Sequence, residues 1–313
     1  MYGVTAMIHL HLLKYVVLLT FMGTGTFVHF RGRVRHRVTR QLTDHSTIMA
    51  PYNSLMYLFS AVPTRRPYVD LRHFPELQQL QDNWEMIRDE GLQLFDQGYI
   101  RAAAKYNDLG FNSFFRTGWK RFYLKWYGDF LPSASGLCPR TSQLLAGIPS
   151  VNAAMFALLP PGSRLGEHRD PYAGSLRYHL GLSTPNSEKC RIVVDGEMYH
   201  WKDGEAVMFD ETFIHRAENQ TDRQRLILFC DVERPLSNPI VRAINRFIGR
   251  PFVRAAATQN VEGEKVGVLN KIFGYVYYIR VVGKRIKAWN KATYYMVKWA
   301  LLGGIAWAIF AGV

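Results

Sequence analysis

Cysteine is scarce in this chain, and acidic residues are too few to balance the basic ones. The three cysteines among 313 residues, Cys138, Cys190 and Cys230, are too few and too scattered for a disulfide framework or a Cys-x-x-Cys zinc site. Reduced thiols in a cytoplasm-facing domain are the simpler interpretation. Asp and Glu number 25 against 39 Lys and Arg, a net charge of +14. That excess predicts an anionic partner: nucleic acid, a membrane surface or an acidic substrate.

Signatures of nucleic-acid binding are also missing. Residues 106–131 are dense in aromatic and basic side chains, as in some single-strand binders, but no RNA-binding or helix-turn-helix motif accompanies them. The alternation along 121–127 is equally consistent with a strand. We therefore predict no nucleic-acid partner and core packing for most of these aromatics, with Trp119 as the candidate to line a site.

Long hydrophobic runs occur only at the two ends of the chain. The run 15–30 spans about 24 Å as a helix, less than the ~30 Å hydrocarbon core, and residues 10–13 make up the difference. The run 293–313 spans about 31 Å and is long enough by itself. A cleavable signal peptide is the alternative for the first run. The five arginines that follow it argue against that alternative: Arg31, Arg33, Arg35, Arg37 and Arg40.

Each apolar run has a basic cluster on the side that faces the middle of the chain. Five arginines follow the first run, and lysines and arginines at 284–291 precede the second run. Since basic clusters stay in the cytoplasm, this predicts that residues 31–292 are cytoplasmic and that both termini are outside. Residues 48–62 are too short to span and either lie in the interface or pack on the domain. The predicted segments are a transmembrane anchor (1–30), a basic juxtamembrane or interfacial segment (31–75), a central domain with an N-terminal helical part (76–236), a basic membrane-proximal segment (237–292) and a second anchor (293–313).

Arginine recurs every four residues from 242 to 254, which would place four guanidinium groups on one face of a helix. Pro251 is expected to break that helix. Such a stripe is usually a solvated face. Beside a membrane anchor it predicts contact with anionic headgroups, each worth ~1 kcal/mol near the surface.

The central domain has the pattern of a mainly β protein. A helix is predicted from 76 to 97 by apolar residues at helical spacing, with Gly98 as its stop. Short strands then follow at 151–159, 176–183, 192–194 and 205–209, and Asp195-Gly196 is a strong hairpin signal. Closely spaced strands of this kind predict a sandwich or barrel.

A His-x-Asp pair and a distant histidine supply a candidate metal site. His168 and Asp170 point to the same face of a strand, and with His215 they offer two imidazoles and one carboxylate. This facial set leaves octahedral positions open and suits non-haem Fe(II) that must also bind a co-substrate and O2. Satisfied or exposed polar residues are the alternative.

Basic residues surround this candidate site. On segment 176–183, Arg177 and His179 lie opposite the leucines, so that face lines a polar cavity or meets water. Arg225 opens the apolar run 226–232, where a buried cation needs an anionic partner. A dicarboxylate chelated to iron at one end would meet this need at its other end.

The block from Gly166 to Pro235 resembles the aspartyl/asparaginyl β-hydroxylase family of 2-oxoglutarate-dependent dioxygenases. Segments 106–115, 118–127 and 137–141 and both hydrophobic ends are similar to its bacterial membrane branch, which hydroxylates lipid A acyl chains at C2. The resemblance implies a double-stranded β-helix, or jelly roll, with flanking helices and one transmembrane helix at each end. It also implies Fe(II) as cofactor, with 2-oxoglutarate and O2 as co-substrates.

The resemblance further assigns roles to residues. His168, Asp170 and His215 hold the iron, and Arg225 holds the distal carboxylate of 2-oxoglutarate. Arg177 and His179 are expected near the metal-bound end of 2-oxoglutarate, and Trp119 is the expected neighbour of the co-substrate. Many members of the wider family lack a carboxylate at the position of Asp170, so the complete triad favours the lipid-acting branch.

The resemblance places the enzyme in a bacterial inner membrane, with its catalytic domain in the cytoplasm and its termini in the periplasm. The expected partners are lipid A, or a related acylated phosphoglycolipid, and an anionic membrane surface. A peptidyl aspartate/asparagine hydroxylase and a non-catalytic metal-binding scaffold are the alternatives.

Overall fold

The computed structural model describes residues 2–101, 108, 111 and 114–311 of the chain. Most of the 106–115 motif therefore lies outside the described residues. Within the described ranges the core is mainly β, with helices at both ends and on one face, as the sequence predicts.

Eleven described strands form two antiparallel sheets. The larger sheet has the order β1-β9-β6-β11-β4-β2-β3, and the smaller has the order β5-β10-β7-β8. Side chains from both sheets line one cavity, so the sheets form a two-layer sandwich of the jelly-roll type. The strands are β1 (Tyr68–Val69), β2 (Lys120–Trp126), β3 (Asp129–Phe130), β4 (Val151–Leu159), β5 (Arg164–His168), β6 (Ser175–Ser183), β7 (Cys190–Val194), β8 (Glu197–His200), β9 (Ala206–Phe209), β10 (His215–Asn219) and β11 (Arg225–Glu233).

The hairpin predicted at Asp195-Gly196 is confirmed. Both residues have positive φ, 51° and 86°, which a two-residue turn between β7 and β8 requires. Strand β6 lies in the middle of the larger sheet, between β9 and β11, and is buried on both faces. Its Arg177 and His179 therefore line a cavity and do not face water.

Twelve described helices flank the sandwich. They are α1 (Tyr2–Phe30), α2 (Val38–Gln41), α3 (His45–Ile48), α4 (Ala50–Leu58), α5 (Gln78–Asp82), α6 (Trp84–Asp96), α7 (Pro132–Leu137), α8 (Pro139–Ala146), α9 (Pro239–Ile244), α10 (Arg250–Arg254), α11 (Val268–Trp289) and α12 (Lys291–Ala311). The helix predicted from 76 to 97 is interrupted at Asn83, between α5 and α6, and Gly98 with φ of 73° follows its end as predicted.

Within the described residues, one helix is long and apolar enough to cross a membrane, over Leu13–Phe30 of α1. Helix α12 contains residues 293–311 of the second predicted anchor, and some side chains of its last turns lie outside the described residues. A second membrane span therefore stays a prediction. Helix α4, in the stretch 48–62, packs on α1 and buries Met56 and Tyr57, although Leu58 is 75% exposed.

The first arginine after α1 connects the apolar helix to the domain. Arg31 is buried, its Nη2 lies 2.5 Å from Asp210 Oδ2, and its Nη1 donates to Thr212 Oγ1 at 2.7 Å. Arg234 Nη2 lies 2.8 Å from the same oxygen of Asp210, and the guanidinium of Arg31 stacks on Tyr57 at 3.8 Å. The end of α1 is thereby attached to the segment that leads into β10.

We expect Arg31→Met to destabilise the protein by about 3–5 kcal/mol, because breaking a buried ion pair leaves Asp210 with one cation in place of two. Chemical unfolding of the full chain in detergent measures the difference. The matched control is Arg33→Met, whose side chain is 77% exposed and pairs with Glu197 at 3.2 Å, and whose effect should stay within about 1 kcal/mol. Equal effects of the two substitutions would contradict the buried pair's importance.

The predicted break at Pro251 is wrong. Asn245–Gly249 forms a π-helical turn between α9 and α10, which lets Pro251 occupy the first turn of α10, where its missing N–H is tolerated. Arg246 and Arg250 both pair with Glu233, and Arg254 pairs with Asp129. The side chains that remain most exposed on this segment are apolar, notably Phe247 at 79%.

Candidate metal centre and co-substrate pocket

His168, Asp170 and His215 converge at one end of the cavity between the sheets. One ligand atom from each lies within 4.8 Å of the others. His168 at the end of β5 and His215 at the start of β10 are direct cross-strand partners, with ring centroids 4.2 Å apart. Asp170 follows β5 by two residues, and its Oδ1 lies 3.9 Å from His168 Nε2. The three side chains that the sequence analysis selected are therefore brought together.

Both histidines present the same ring nitrogen to this point. Nδ1 of His168 lies 2.8 Å from the carbonyl oxygen of Gly166, and Nδ1 of His215 lies 2.9 Å from that of Phe213. A proton on Nδ1 donates to these carbonyls and leaves Nε2 as a lone-pair donor to a metal. Burial, and then His168, lower the pKa of His215 to about 3, so its imidazole is neutral as a ligand must be.

Arg177 holds the carboxylate of Asp170. Its Nη2 donates to Asp170 Oδ2 at 2.9 Å and contacts Glu211, while its Nε lies 2.9 Å from Asp231 Oδ1. Although burial opposes the charge, Asp231, Glu211 and Asp170 raise the pKa of Arg177. Asp170 thus keeps Oδ1 directed at the histidines while Oδ2 is held by a cation, an arrangement typical of a carboxylate ligand with outer-shell support.

Two further carboxylates behind Arg177 are fully inside the protein. Burial raises the pKa of Glu211 well above its usual range, and burial also raises that of Asp231. Ser175 Oγ donates to Glu211 Oε1 at 2.9 Å, and the Tyr127 hydroxyl donates to Asp231 Oδ2 at 3.0 Å. These hydrogen bonds fix the rotamers of Glu211 and Asp231, which in turn position Arg177. Arg177 then orients Asp170.

The other end of the cavity holds a buried cation without a carboxylate. Arg225 is 2% exposed, its Nε has no hydrogen-bond partner among the described residues, and its guanidinium lies over the Trp201 ring at 4.3 Å. Burial lowers the pKa of Arg225 to about 10, and the nearby Cys190 opposes this shift. The group remains charged at neutral pH, and no carboxylate of the described residues pairs with it.

His179 adds a neutral donor beside Arg225. The indole N–H of Trp201 donates to His179 Nδ1 at 3.3 Å, which places the imidazole proton on Nε2. That Nε2 is buried and has no partner in the described part of the chain. Burial, and then the two flanking arginines, lower the pKa of His179 well below its usual value, so it is neutral.

Aromatic and aliphatic side chains close the space between the triad and Arg225. Trp119 lines the cavity, is 2% exposed, and stacks on Phe111 with ring centroids 4.8 Å apart. Phe114 lies at the rim, 4.7 Å from the His168 ring. Such walls exclude water, so a polar ligand would bind through Arg225 and His179 at one end and through a metal at the other.

Sequence reasoning missed several residues of this site. Asp231 could have been found, because it shares with Arg225 the cavity-facing alternation of β11. Glu211 lies in the turn before β10 and Trp201 in the loop after β8, where no periodic signal marks a side chain's direction. Asp210 is likewise fully buried, between Arg31 and Arg234.

Comparisons with known proteins match the region of the chain that contains this site. Residues 81–235 match the family profile described as aspartyl/asparaginyl beta-hydroxylase. An ornithine lipid ester-linked acyl 2-hydroxylase of Rhizobium tropici is 38% identical over 154 residues, which are 48% of this chain and 55% of the relative. The aspartyl/asparaginyl beta-hydroxylase of Homo sapiens is 30% identical over 168 residues, 52% of this chain and 22% of that protein.

Similarity to solved structures is weaker. A Pseudomonas putida prolyl-4-hydroxylase aligns with a TM-score of 0.34 at 18% identity, over 49% of this chain and 87% of that one. The matched part of this chain spans about half or less of the two curated relatives. The similarity therefore concerns the region that contains the sandwich and the candidate residues His168, Asp170 and His215.

Proposed function

We propose that this chain, whose residues 81–235 match the aspartyl/asparaginyl β-hydroxylase profile, is an Fe(II)- and 2-oxoglutarate-dependent dioxygenase. Its proposed reaction is hydroxylation at C2 of a fatty acyl chain of lipid A, at the cytoplasmic face of the inner membrane. The observation that carries the co-substrate assignment is the uncompensated charge of Arg225 in the cavity that also contains the triad.

The residues fit a ferrous ion. His168 and His215 would bind through Nε2 and Asp170 through Oδ1, while their other polar atoms are already held by Gly166, Phe213 and Arg177. When bound, the metal lets O2 and 2-oxoglutarate convert a C–H bond to C–OH with release of succinate and CO2.

The protein's own contribution is position and exclusion of water. We assign the distal carboxylate of 2-oxoglutarate to Arg225, with His179 Nε2–H as a second donor. Trp119 would flank the co-substrate. Because Arg177 already contacts three carboxylates, we assign it to orienting Asp170, near the metal-bound end of the co-substrate.

The substrate assignment draws on different observations. The Rhizobium tropici relative is named for 2-hydroxylation of an ester-linked acyl chain, the chain carries +14 net charge, and α1 contains a candidate membrane span. A cationic enzyme at a membrane suits lipid A, an acylated and phosphorylated glycolipid. Ornithine lipid is a second candidate because of that relative, and a peptide is a third because of the human one.

Succinate release from the full-chain enzyme separates these possibilities. With Fe(II), 2-oxoglutarate and O2, we expect lipid A to stimulate succinate formation and to yield a 2-hydroxyacyl product by mass spectrometry. Stimulation by ornithine lipid alone would identify ornithine lipid, not lipid A, as the substrate, and stimulation by a peptide alone would support the peptide hydroxylase. If the protein binds iron but forms no succinate under any condition, a non-catalytic metal-binding scaffold would be the remaining interpretation.

A further inference from the structure

Helix α11 has an exposed apolar stripe along its whole length. Apolar residues recur at intervals of four and three residues, which aligns them on one face of a helix about 33 Å long. Of the side chains described, four are more than half exposed and Ile272 is 49% exposed. The described side chains of this apolar stripe are Val268, Ile272, Ile279, Val282, Ile286 and Trp289, and Tyr275 occupies the remaining position of the sequence repeat.

We propose that α11 lies in the plane of the membrane surface, with its apolar stripe in the acyl boundary of an anionic bilayer, and holds the mouth of the metal site against the lipid. The proposal rests on the proposed function for the identity of the substrate but not for the position of the helix.

The opposite face of α11 packs on the domain. Tyr277 and Asn270, seven residues apart, are both buried, and Asn270 Nδ2 donates to the carbonyl of Ala256 at 2.6 Å. Arg116 Nη2 donates to the Tyr277 hydroxyl at 2.6 Å. The helix thus has one face on the protein and the other uncovered, which is the disposition of an interfacial helix.

That contact connects α11 to the metal site. Arg116 belongs to the 3-10 turn Phe114–Thr117, and Phe114 of the same turn packs on His168. Only one short turn separates the helix from a candidate metal ligand. A bilayer that binds the apolar stripe would therefore lie about one helix diameter, ~10 Å, from this turn.

The N-terminal helices reach the other side of the same strand end. Arg169 Nη1 lies 3.4 Å from the carbonyl oxygen of Val28 in α1, and the His45 ring lies 2.8 Å from the carbonyl oxygen of Arg169. The segment that carries His168 and Asp170 is therefore held between the candidate membrane span and α11.

Charge identifies the bilayer as the occupant of the stripe. Helix α11 contains five basic residues, Lys271, Arg280, Lys284, Arg285 and Lys287, and no acidic residue. A protein partner that packs along a 4-3 repeat normally pairs charges of both signs at the flanks, whereas a basic amphipathic helix with aromatic residues suits anionic lipid. The direct continuation into the apolar helix α12 agrees with a membrane location.

Lipid contact is measured with a fluorophore on the full chain in nanodiscs of phosphatidylglycerol and phosphatidylethanolamine. Ile279→Cys carries an environment-sensitive dye, since the native cysteines are buried, and Lys284→Cys is the matched exposed control nearer the protein-facing side. We expect lipids spin-labelled near the headgroup to quench the dye at 279 about threefold more than at 284. Equal, weak quenching at both positions would overturn the proposal. A dimer in detergent without lipid, in which a second copy of the chain covers the stripe, would overturn it as well.

A second measurement connects the stripe to activity. The double substitution Ile279→Asp and Val282→Asp should lower hydroxylation of bilayer-embedded lipid about tenfold and leave 2-oxoglutarate binding unchanged, because the stripe lies outside the cavity. Unchanged hydroxylation would contradict the proposed docking. Quenching at 279 without hydroxylation of any lipid would instead count against the proposed function alone, so the two failures are distinguishable.

Discussion

Replacement of Arg225 by Met should raise the dissociation constant for 2-oxoglutarate about 100-fold or more. The side chain is buried in the cavity, has no carboxylate partner among the described residues, and would contact the distal carboxylate of the co-substrate. Truncating one member of a buried charge pair costs about 2–5 kcal/mol, and ~3 kcal/mol corresponds to a factor of more than 100. Calorimetric titration of the Mn(II)-loaded protein measures the affinity without turnover.

The same substitution should stabilise the protein without its co-substrate. Burial lowers the pKa of Arg225 to about 10, which is below its pKa in the unfolded chain. The charged guanidinium therefore lowers the free energy of unfolding by its full amount at every pH below about 10. This destabilisation disappears as the pH rises from about 10 towards the unfolded pKa. Thermal unfolding of the two proteins at neutral pH should favour Arg225→Met. Arg225→Lys, which keeps the charge but not the planar fork, should give intermediate affinity. Unchanged co-substrate affinity together with a lower melting temperature would make Arg225 a structural residue only.

Replacement of Asp170 by Ala should abolish acyl hydroxylation and weaken ferrous binding by more than about 100-fold. Loss of an outer-shell partner typically costs ten- to a hundredfold in metal affinity, and Asp170 is placed as a direct ligand beside His168 and His215. Absorption of the Co(II)-substituted protein reports the affinity and the coordination geometry independently of turnover.

The control for Asp170 is Asp222→Ala, because Asp222 is an exposed acidic residue in the turn before β11. Its metal affinity and activity should equal those of the wild type. Unfolding should also show that Asp170→Ala is folded, since Arg177 keeps Glu211 and Asp231 as partners. Wild-type turnover by Asp170→Ala would remove Asp170 from the ligand set.

The contrast between these two sites shows how far sequence reasoning reaches. His168, Asp170 and His215 were selected because side chains two residues apart share a face and the residue types match one kind of metal, both of which are local properties. The contacts of Arg177 do not follow from such local properties, because Asp170, Glu211 and Asp231 come from three separate segments. Their contact depends on strand order and register, which the local sequence does not specify.

Charged residues near the apolar terminal helices show the same limit. The sequence placed Arg31 in a basic juxtamembrane cluster, yet it is buried on Asp210, whereas neighbouring Arg33 is exposed. Similarly, Arg246 and Arg250 of the predicted headgroup-binding stripe pair with Glu233. The sequence gives the number of charged residues. The tertiary packing around each cation decides whether it contacts solvent, lipid or a carboxylate.

The sequence by itself determined the mainly β core, the Asp195-Gly196 hairpin, the apolar ends and the identity of the metal-binding candidates. Each of these follows from periodicity, turn chemistry or composition within a short window. Only the tertiary structure decided that Arg225 is a buried cation with no carboxylate partner in the described ranges, that Trp201 sets the proton position on His179, and that Arg116 connects α11 to the turn beside His168. These are distances between segments far apart in the chain, and they exist only after the two sheets and the terminal helices have packed together.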